Sequence, residues 1–422
     1  MALQSSGAIS LNDVNVELGN SGTDTIAIAE QAVRDLLGIS SGAISMNNCY
    51  GASNVGIEFG SETTYNNSIA DDHAYLTADP SNANRYLLCT YSGGSFTLRV
   101  VTVSGTTATF GSEYTMDSSD GFYFNSIAFD SSNSNYAVMA YMSGAGSYSC
   151  SAVVISMSGS TVTSVGSRVT FDSTYLCRFP HISENPGSAG SFLVTYVRGS
   201  SYPAYATIIS RSGTSINTNS VYSLGVTEYK GGRSNVFVSS NKALYFGGTS
   251  SSMKGIALSI SGSSISIGSQ YSFPDSANDH DISPDPNVSG KFIIGYTDDG
   301  ASRYSRALTG TISGTAVTFN SSVVIKSTVG AHISVSYSPT FSDRAVAVYQ
   351  STDNGTLKGR ATLIDTSSST VSVLAEGLYH NAYVGYMNYG VMGSSGSGGK
   401  GLIIFRDGDD GNKGKGLVVT HT

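Results

Sequence analysis

A short turn recurs along this chain at an almost constant spacing. Successive copies lie 49 to 54 residues apart, and they are Ser104-Gly105, Ser158-Gly159, Ser212-Gly213, Ser261-Gly262, Ser313-Gly314 and the degenerate Ser367-Ser368. A fixed period near 50 residues is typical of the blades of a β-propeller rather than of a β-sandwich. The turn therefore predicts a mainly β fold built from repeated units of four strands.

The second strand of each predicted unit is an apolar run that ends near an aromatic residue. Such runs suit strands that are covered on both faces, as the inner strands of neighbouring blades are. The seven runs are Tyr86–Tyr91, Ala137–Tyr141, Phe192–Tyr196, Ala243–Phe246, Phe292–Tyr296, Ala345–Tyr349 and Leu402–Phe405.

The seventh unit lacks a fourth strand at the C-terminal end of the sequence. Its third strand, Gly416–Thr420, is followed by no Ser-Gly turn. The missing strand has a counterpart near the start of the chain, because Val55–Tyr65 is a near-copy of Ala108–Met116. We therefore expect residues 55–422 to form a seven-bladed β-propeller with a split last blade, in which Ile57 and Val419 share one sheet. Closing the ring would bury the first and last blades against each other.

Composition excludes several classes of function. Charged residues make up 12% of the chain, the net charge is -8 and no basic run is present, so nucleic-acid binding is not expected. No apolar run reaches the roughly 18 residues of a membrane span. The N-terminus has no cationic segment followed by an apolar one, so we expect no signal peptide. The protein is then expected either to be made in a cytoplasm or to leave it by another route such as cell lysis. The four cysteines are far apart and are predicted to be buried free thiols: Cys49, Cys89, Cys150 and Cys177.

Residues 1–54 differ from the rest and are predicted to form a small helical module. Ser10 can cap a first helix with Asp13 as its reciprocal partner, and a second helix is expected at about 27–37, ended by Gly38. The module is too short to bury much core. It is therefore either a cap on the larger domain or an attachment module that docks through its apolar residues, which are Leu11, Val14, Leu18, Val33, Leu36 and Leu37.

Three sub-motifs in this module occur in the order Gly7–Gly19, Ala32–Gly38 and Ser41–Gly51. Together they resemble the N-terminal segment of many virion proteins of tailed bacteriophages, which are mostly tail or fibre components. The resemblance covers about 50 of the 422 residues, and it departs at Asn48-Cys49, where an acidic and an aromatic residue are expected. It implies a virion protein that is assembled in the host cytoplasm and is bound to other virion proteins through residues 1–54.

Several polar residues fall where blades connect or where second and third strands turn. His181, His280 and His332 lie in the segments that begin blades, and they are either a ligand or metal site near the axis or scattered channel residues. Their registers differ, which favours the second interpretation. Asp298 and Asp299 lie in a hairpin of the same face.

Two tyrosines give the best indication of a shared surface. Tyr148 and Tyr202 occupy equivalent hairpins of adjacent blades. Exposed tyrosine can stack on sugars or anchor a protein interface at low entropy cost. The two residues are therefore candidates for a ligand-binding face, and the alternative is a pair of isolated loop aromatics.

Acidic turns offer a weak candidate for metal binding. Asp407, Asp409 and Asp410 could supply oxygen ligands to calcium, but the EF-hand pattern is incomplete and Asp and Gly are also the residues of tight turns. We expect no metal and no other cofactor. No nucleophile elbow, Walker loop, dinucleotide fingerprint or zinc pattern is present, so we expect no enzyme.

The sequence thus predicts a tail or fibre protein whose propeller contacts the host surface, with a glycan or a protein of that surface as the ligand. Two alternatives remain. One is a purely structural decoration or spacer of the tail or capsid, and the other is a tail enzyme that degrades polysaccharide. Fold alone does not decide among them.

Overall fold

The computed structural model describes residues 3, 9–21, 26, 31–37, 56–67, 74–92, 95–116, 122–144, 148–173, 176–228, 234–300, 302–353, 355–385, 391–392 and 399–421. Cys49 and the third sub-motif of the N-terminal module lie outside these residues. The chain divides into two compact units, one of Met1–Ile57 with His421–Thr422 and one of Glu58–Thr420. No helix in the described ranges is long and apolar enough to cross a membrane.

The first unit contains two short helices, α1 (Leu11–Glu17) and α2 (Gln31–Leu37). The predicted capping box is confirmed, because the Asp13 backbone N–H donates to Ser10 Oγ at 3.2 Å and the Ser10 N–H donates to Asp13 Oδ2 at 2.7 Å. The predicted second helix is described from Gln31 onwards. An apolar cluster buries Leu3, Val14, Ile26 and Val33 and is flanked by Ile9, Leu18, Leu36 and Leu37.

The second unit consists of β-strands, as predicted. The chain enters it through β1 (Ile57–Phe59) and β2 (Thr63–Asn66). A first sheet contains β3 (Tyr75–Asp79), β4 (Asn82–Ser92), β5 (Ser95–Ser104), β6 (Thr107–Phe110) and β7 (Tyr114–Thr115), in the order β3-β4-β5-β6 with β7 beside β5. A second sheet contains β8 (Phe122–Phe129), β9 (Tyr136–Ser143), β10 (Ser149–Ser158), β11 (Thr161–Val165) and β12 (Val169–Asp172), in the order β11-β10-β9-β8 with β12 beside β10.

Two sheets of four strands follow, each in sequence order. One contains β13 (Cys177–Glu184), β14 (Ser191–Arg198), β15 (Pro203–Ser212) and β16 (Ser215–Thr227). The other contains β17 (Asn235–Ser239), β18 (Lys242–Thr249), β19 (Ser252–Ser261) and β20 (Ser264–Ser272).

The next eight strands are linked by one long strand, β25, which pairs with β23 in its first half and with β26 in its second half. They are β21 (Ala277–Pro284), β22 (Lys291–Asp298), β23 (Tyr304–Ser313), β24 (Ala316–Phe319), β25 (Val323–Tyr337), β26 (Arg344–Asp353), β27 (Thr356–Asp365) and β28 (Ser372–His380). The last strands are β29 (Val384–Gly385), β30 (Val391–Met392), β31 (Lys400–Asp407) and β32 (Lys413–His421).

The recurring Ser-Gly turns join third strands to fourth strands, as predicted. Their glycines have φ between +58° and +62°, and they are Gly105, Gly159, Gly213, Gly262 and Gly314. This left-handed conformation costs a residue with a Cβ about 1–2 kcal/mol, so glycine is favoured there. The seven apolar second strands also fall inside the observed strands β4, β9, β14, β18, β22, β26 and β31.

The predicted pairing between the start and the end of the chain is confirmed. Both β1 and β2 pair with β32, and Thr63 and Thr64 lie opposite Gly416 and Lys415. The Gly60 N–H donates to the Val418 carbonyl oxygen at 2.8 Å. In the next sheet the Gly111 N–H donates to the Val100 carbonyl oxygen at 2.9 Å, so the N-terminal strands pair as an ordinary outer strand does.

Each of these glycines also contacts the turn of the neighbouring sheet. A Cβ on Gly60 would overlap the carbonyl oxygen of Thr106, and a Cβ on Gly111 would overlap that of Ser160. Because both partners are backbone atoms just after a Ser-Gly turn, the repeated Phe-Gly-Ser sequence reflects close packing between sheets.

The core lies between adjacent sheets. Tyr65 of β2 stacks on Phe110 of β6 with ring centroids 4.8 Å apart, and the same cluster buries Leu402 and Val418. Corresponding clusters join β8–β12 to β13–β16 and β13–β16 to β17–β20.

The prediction of free thiols is wrong for two cysteines. Cys150 of β10 and Cys177 of β13 form a disulfide with their Cα atoms 5.3 Å apart. They belong to neighbouring sheets whose packing brings them together, and their separation of 27 residues gave no sign of it. Cys89 is free and buried as predicted, and burial raises the pKa of its thiol.

Candidate ligand-binding site

The two predicted tyrosines meet consecutive residues of one strand. The Cys177 N–H donates to the Tyr148 carbonyl oxygen at 2.8 Å, and Arg178 Nη1 donates to the Tyr202 hydroxyl at 2.6 Å. The start of β13 therefore lies between the β9–β10 hairpin and the β14–β15 hairpin. We call this surface the Tyr148–Tyr202 patch and define it by Phe124, Tyr148, Arg178, Phe179 and Tyr202.

The patch consists mainly of aromatic residues. Tyr148 is 37% exposed, and the other members are half-buried. The rings of Phe124 and Phe179 lie 4.5 Å apart at 59°, and the Arg178 guanidinium lies 5.2 Å from the centre of the Tyr202 ring. Aromatic pairs and cation–π contacts of this kind fix ring positions without burying the rings completely.

The backbone of the patch is strained. Phe124, Tyr148, Phe179 and Tyr202 have φ of +43°, +54°, +50° and +53°. Residues other than glycine rarely adopt this region, at a cost of about 1–3 kcal/mol each, and such residues concentrate at functional sites. The adjacent Cys150–Cys177 disulfide anchors the segment that carries them.

Arg178 differs from the two other arginines in strands β13–β16. Arg198 pairs with Asp172 at 2.5 Å, and Arg211 pairs with Asp130. Among the described residues, Arg178 has the Tyr202 hydroxyl as its partner and no carboxylate within ion-pair distance. The guanidinium is therefore a half-buried cation that retains capacity to bind an anion.

A cavity of about 310 Å³ lies at the other end of the inner strands. His181 lines it together with Tyr75, Glu184 and Asn235, and the turn residues Pro80, Pro286 and Pro339 also contribute to its wall. The Tyr75 hydroxyl lies 3.1 Å from His181 Nε2. Asn235 Nδ2 donates to the His181 carbonyl oxygen at 2.8 Å. These two contacts join His181 on β13 to Tyr75 on β3 and to Asn235 on β17.

The other two predicted histidines do not join His181. His280 is fully buried edge-on against Phe246, with ring centroids 5.0 Å apart, and burial lowers its pKa to about 4, which keeps it neutral at pH 7. His332 is half-buried, and its backbone N–H donates to Asp279 Oδ2 at 3.3 Å. The three histidines therefore occupy different environments, and no common ligand site forms from them in the described chain.

The predicted hairpin acids serve local structure. Asp298 pairs with Arg306 at 3.0 Å and accepts from the Gly300 N–H at 2.9 Å, whereas Asp299 is exposed. Neither residue belongs to the Tyr148–Tyr202 patch.

The weak calcium candidates do not converge. Asp407 Oδ1 accepts from the N–H groups of Asp409 and Asp410 at 3.1 Å each, which is the hydrogen bonding of a tight turn. Asp409 Oδ2 instead accepts from the Tyr383 N–H at 3.0 Å.

Asp407 joins a different cluster with Glu62 and His380, whose ligand atoms lie within 4.8 Å of one another. Lys415 Nζ lies 2.6 Å from Asp407 Oδ2 and 3.2 Å from Glu62 Oε2, so an ammonium group already supplies the positive charge. Burial opposes ionisation of Asp407, but the hydrogen bond from Lys415 and the charges nearby hold the pKa of this carboxyl below its usual value. The cluster is best described as an ion-pair network that links Glu62, just before β2, to Lys415 on β32 and to the ends of β28 and β31.

Sequence reasoning found the two tyrosines but missed Arg178, Phe124 and Phe179. A basic residue beside an aromatic at the start of a predicted blade, as in Arg178-Phe179, was the available signal. The left-handed backbone that exposes these side chains has no signature in the sequence.

Comparison with known proteins concerns the fold. No protein-family model and no curated protein matches the chain. The chain is similar to the solved structure of the BP39L lectin from Burkholderia pseudomallei, with 12% identity, a TM-score of 0.54 and coverage of 82% of this chain and 94% of the lectin. It is also similar to a candidate 6-phosphogluconolactonase from Bacteroides uniformis, with 8% identity, a TM-score of 0.52 and coverage of 83% and 100%. At these identities the likeness defines the class alone, which is a mainly β, propeller-like protein.

Proposed function

We propose that the protein is a virion component of a tailed bacteriophage, tied to the tail or fibre by residues 1–54, whose β domain contacts the host surface. The N-terminal sequence pattern over residues 7–51 carries this proposal. It gains support from Met1–Ile57, which forms a compact unit with its own apolar cluster, as an attachment module must if it is to fold beside a larger domain.

Burial separates the predicted docking residues into those that hold the module together and those that a partner protein can reach. Val14 and Val33 are fully buried in the module and therefore hold it together. Leu11 and Val16, both on α1, are 42% and 58% exposed. Exposed apolar side chains on a small module are the ones that a partner protein can cover.

The displayed domain would be a closed ring of seven blades. Support comes from the inner strands, since β3 lies beside β8, β8 beside β13, β13 beside β17, β17 beside β21, and β21 beside β25. In addition, β30 lies beside both β25 and β3. A ring explains why β1 and β2 pair with β32, because an open row of sheets would leave two apolar faces in water.

The proposed role of the domain is binding, with the Tyr148–Tyr202 patch as the contact surface. Aromatic rings on a strained, anchored backbone form a rigid surface that loses little entropy on binding. The described part of the patch contains no pair of carboxylates of the kind used for glycoside hydrolysis, which favours a binding protein over a polysaccharide-degrading enzyme. The BP39L protein, which shares the fold, is a lectin.

Particle composition tests the attachment. Leu11→Asp should leave the purified protein folded, because the side chain is exposed, but should remove it from phage particles that encode the chain. Val373→Asp is the matched control, since Val373 is 43% exposed on β28 and far from the module in sequence. Mass spectrometry and cryo-electron microscopy of particles give the result. The proposal fails if wild-type particles lack the protein or if Leu11→Asp particles carry it in full amount.

The same images test the alternative role. A β domain that is covered on both faces by other virion proteins would identify a structural spacer and reject contact with the host.

A further inference from the structure

We propose that the Tyr148–Tyr202 patch binds a carboxylate-bearing sugar, such as a uronic or sialic acid, and that Arg178 pairs with the carboxylate. The choice of a glycan rests on the host-surface role proposed above. The choice of an acidic sugar rests on the charge and geometry of the patch.

Arg178 has the donors that such a ligand requires. Its hydrogen bond to Tyr202 uses Nη1, so Nε and Nη2 remain for the two oxygens of a carboxylate. Arginine binds carboxylates through two parallel N–H···O bonds, which set orientation as well as affinity. The Tyr202 ring beneath the guanidinium, with the charge 5.2 Å from its centre, restricts the side chain before a ligand arrives.

The positive charge of Arg178 is opposite in sign to the net charge of the chain. The chain has a net charge of -8, so an anion meets repulsion over most of it. Because Arg178 has no carboxylate partner among the described residues, its half-buried guanidinium is partly desolvated and uncompensated there, and an anionic ligand supplies the missing charge. Arg198, only 20 positions away, already has Asp172 and cannot play this part.

The aromatic residues suit a sugar rather than an extended peptide. A pyranose ring offers a face of C–H groups that packs on an aromatic ring, and Tyr148 provides such a ring with 37% of its surface exposed. Phe124 and Phe179, whose rings are in contact, add apolar surface beside Arg178. One cation next to a few rings matches one acidic sugar unit, whereas an acidic peptide would need several cations along a groove.

The backbone presents this surface in a fixed form. Tyr148 and Tyr202 hold their positive φ through carbonyl hydrogen bonds to Cys177 and Glu228, each 2.8 Å long. The disulfide at Cys177 fixes the next residue, Arg178, to the sheet that carries Tyr148. A preorganised site of this kind loses little free energy to ordering when the ligand binds.

Binding to an array of oligosaccharides that end in uronic or sialic acids, with their methyl esters and neutral counterparts, tests the proposal on the full-length protein. We expect at least one acidic sugar to bind. Its methyl ester should bind at least about tenfold more weakly, because esterification removes the charge. Arg178→Gln should weaken binding by at least about tenfold, and Arg178→Lys should retain part of it as a point charge.

Arg360→Gln is the matched control, because Arg360 pairs with Glu376 and lies on β27 outside the patch. It should bind as the wild type does, and circular dichroism should show that every variant is folded. The inference is overturned if no acidic sugar binds, if esters bind equally well, if Arg178→Gln binds normally, or if a glutamate-rich peptide competes better than the sugars. If the purified wild-type protein binds no acidic sugar while phage particles carry the protein in full amount, this inference fails and the attachment proposal stands.

Discussion

At the scale of single residues, a hydrogen bond from a tyrosine hydroxyl to a carboxyl group at the end of the preceding sheet occurs twice. The charged groups around the two carboxyl groups differ. The Tyr196 hydroxyl donates to Asp172 at 2.6 Å, and the Tyr245 hydroxyl donates to Glu228 at 2.7 Å. In the first case Arg198 also pairs with the acid.

In the second case a glycine stands where that arginine would be, two positions after the tyrosine. A Cβ on Gly247 would approach the Tyr245 ring and the Glu228 carboxyl group, so the site has no space for a longer side chain. Glu228 is fully buried and has no cation beside it among the described residues, and burial raises its pKa to about 8. The carboxyl group is therefore protonated in the folded protein at pH 7.

This proton makes stability depend on pH. The unfolded chain releases the proton near pH 4.5, whereas the folded protein keeps it up to about pH 8. Between these values the free energy of unfolding should fall as pH rises, by up to about 1.4 kcal/mol per pH unit, and the contribution should level off above pH 8. Glu228→Gln should remove this slope, because glutamine does not ionise and still accepts from Tyr245.

Urea unfolding at a series of pH values measures the effect. Glu113→Gln is the control, since Glu113 is an exposed acid paired with Arg99 at 2.6 Å and should leave the slope in place. An unchanged slope in Glu228→Gln would mean that this carboxyl group is ionised in the folded state.

At the scale of elements, Gly60 and Gly111 interrupt the outer strands of two adjacent sheets and link pairing within a sheet to packing between sheets. Gly60 and Gly111 make the same backbone hydrogen bond, and each faces a carbonyl oxygen of the next turn. Backbone atoms cannot move aside as a flexible side chain can.

Alanine at either glycine should therefore destabilise the domain to a similar extent. We expect Gly60→Ala and Gly111→Ala each to lower the free energy of unfolding by about 1–3 kcal/mol, as overpacking does. The neighbouring exposed serines give matched controls, and Ser61→Ala and Ser112→Ala should stay within about 0.5 kcal/mol of the wild type. A normal melting curve for Gly60→Ala beside a destabilised Gly111→Ala would show that the N-terminal strand is not equivalent to the others.

The elements also show what the sequence could predict. Apolar second strands such as Phe292–Tyr296 and the Ser-Gly turns are local patterns with a direct physical cause, so they were placed correctly. The pairing of β1 with β32 followed from a repeated motif, although the two strands stand at opposite ends of the chain.

The site was predictable only in part, because it depends on packing between sheets. Tyr148 and Tyr202 were visible as equivalent hairpin residues, but their link through Cys177 and Arg178 arises where two sheets meet. The disulfide was missed for the same reason. The three histidines have different surroundings because they occupy different positions along their inner strands. His181 pairs with Thr195, His280 pairs with Tyr296, one position further along the second strand, and His332 lies inside a bulge.

At the scale of the whole β domain, stability is expected to come from contacts between neighbours, since each apolar cluster is shared by two sheets. Such a domain has a weak point wherever a sheet is assembled from distant parts of the chain. Here that sheet is held by β2 against β32, by Tyr65 against Phe110, and by the network of Glu62 with Lys415 and Asp407.

A circular permutant tests whether this seam closes a ring. The permutant starts at Ala74, runs to Thr420, and continues through a short Gly-Ser linker into Glu58–Asn66, so that β32 is followed directly by the strand that pairs with it. If the seam closes a ring, the permutant should fold and melt within a few degrees of a chain that carries residues 58–420 in natural order, because the same contacts form with a different break in the backbone. A chain of residues 74–420 alone lacks the outer strand, exposes Leu402 and Val418 of the shared cluster, and should melt much lower or aggregate. Equal melting of the truncated chain and the permutant would show that β1 and β2 do not close the domain, and the seven-bladed ring would then have to be abandoned.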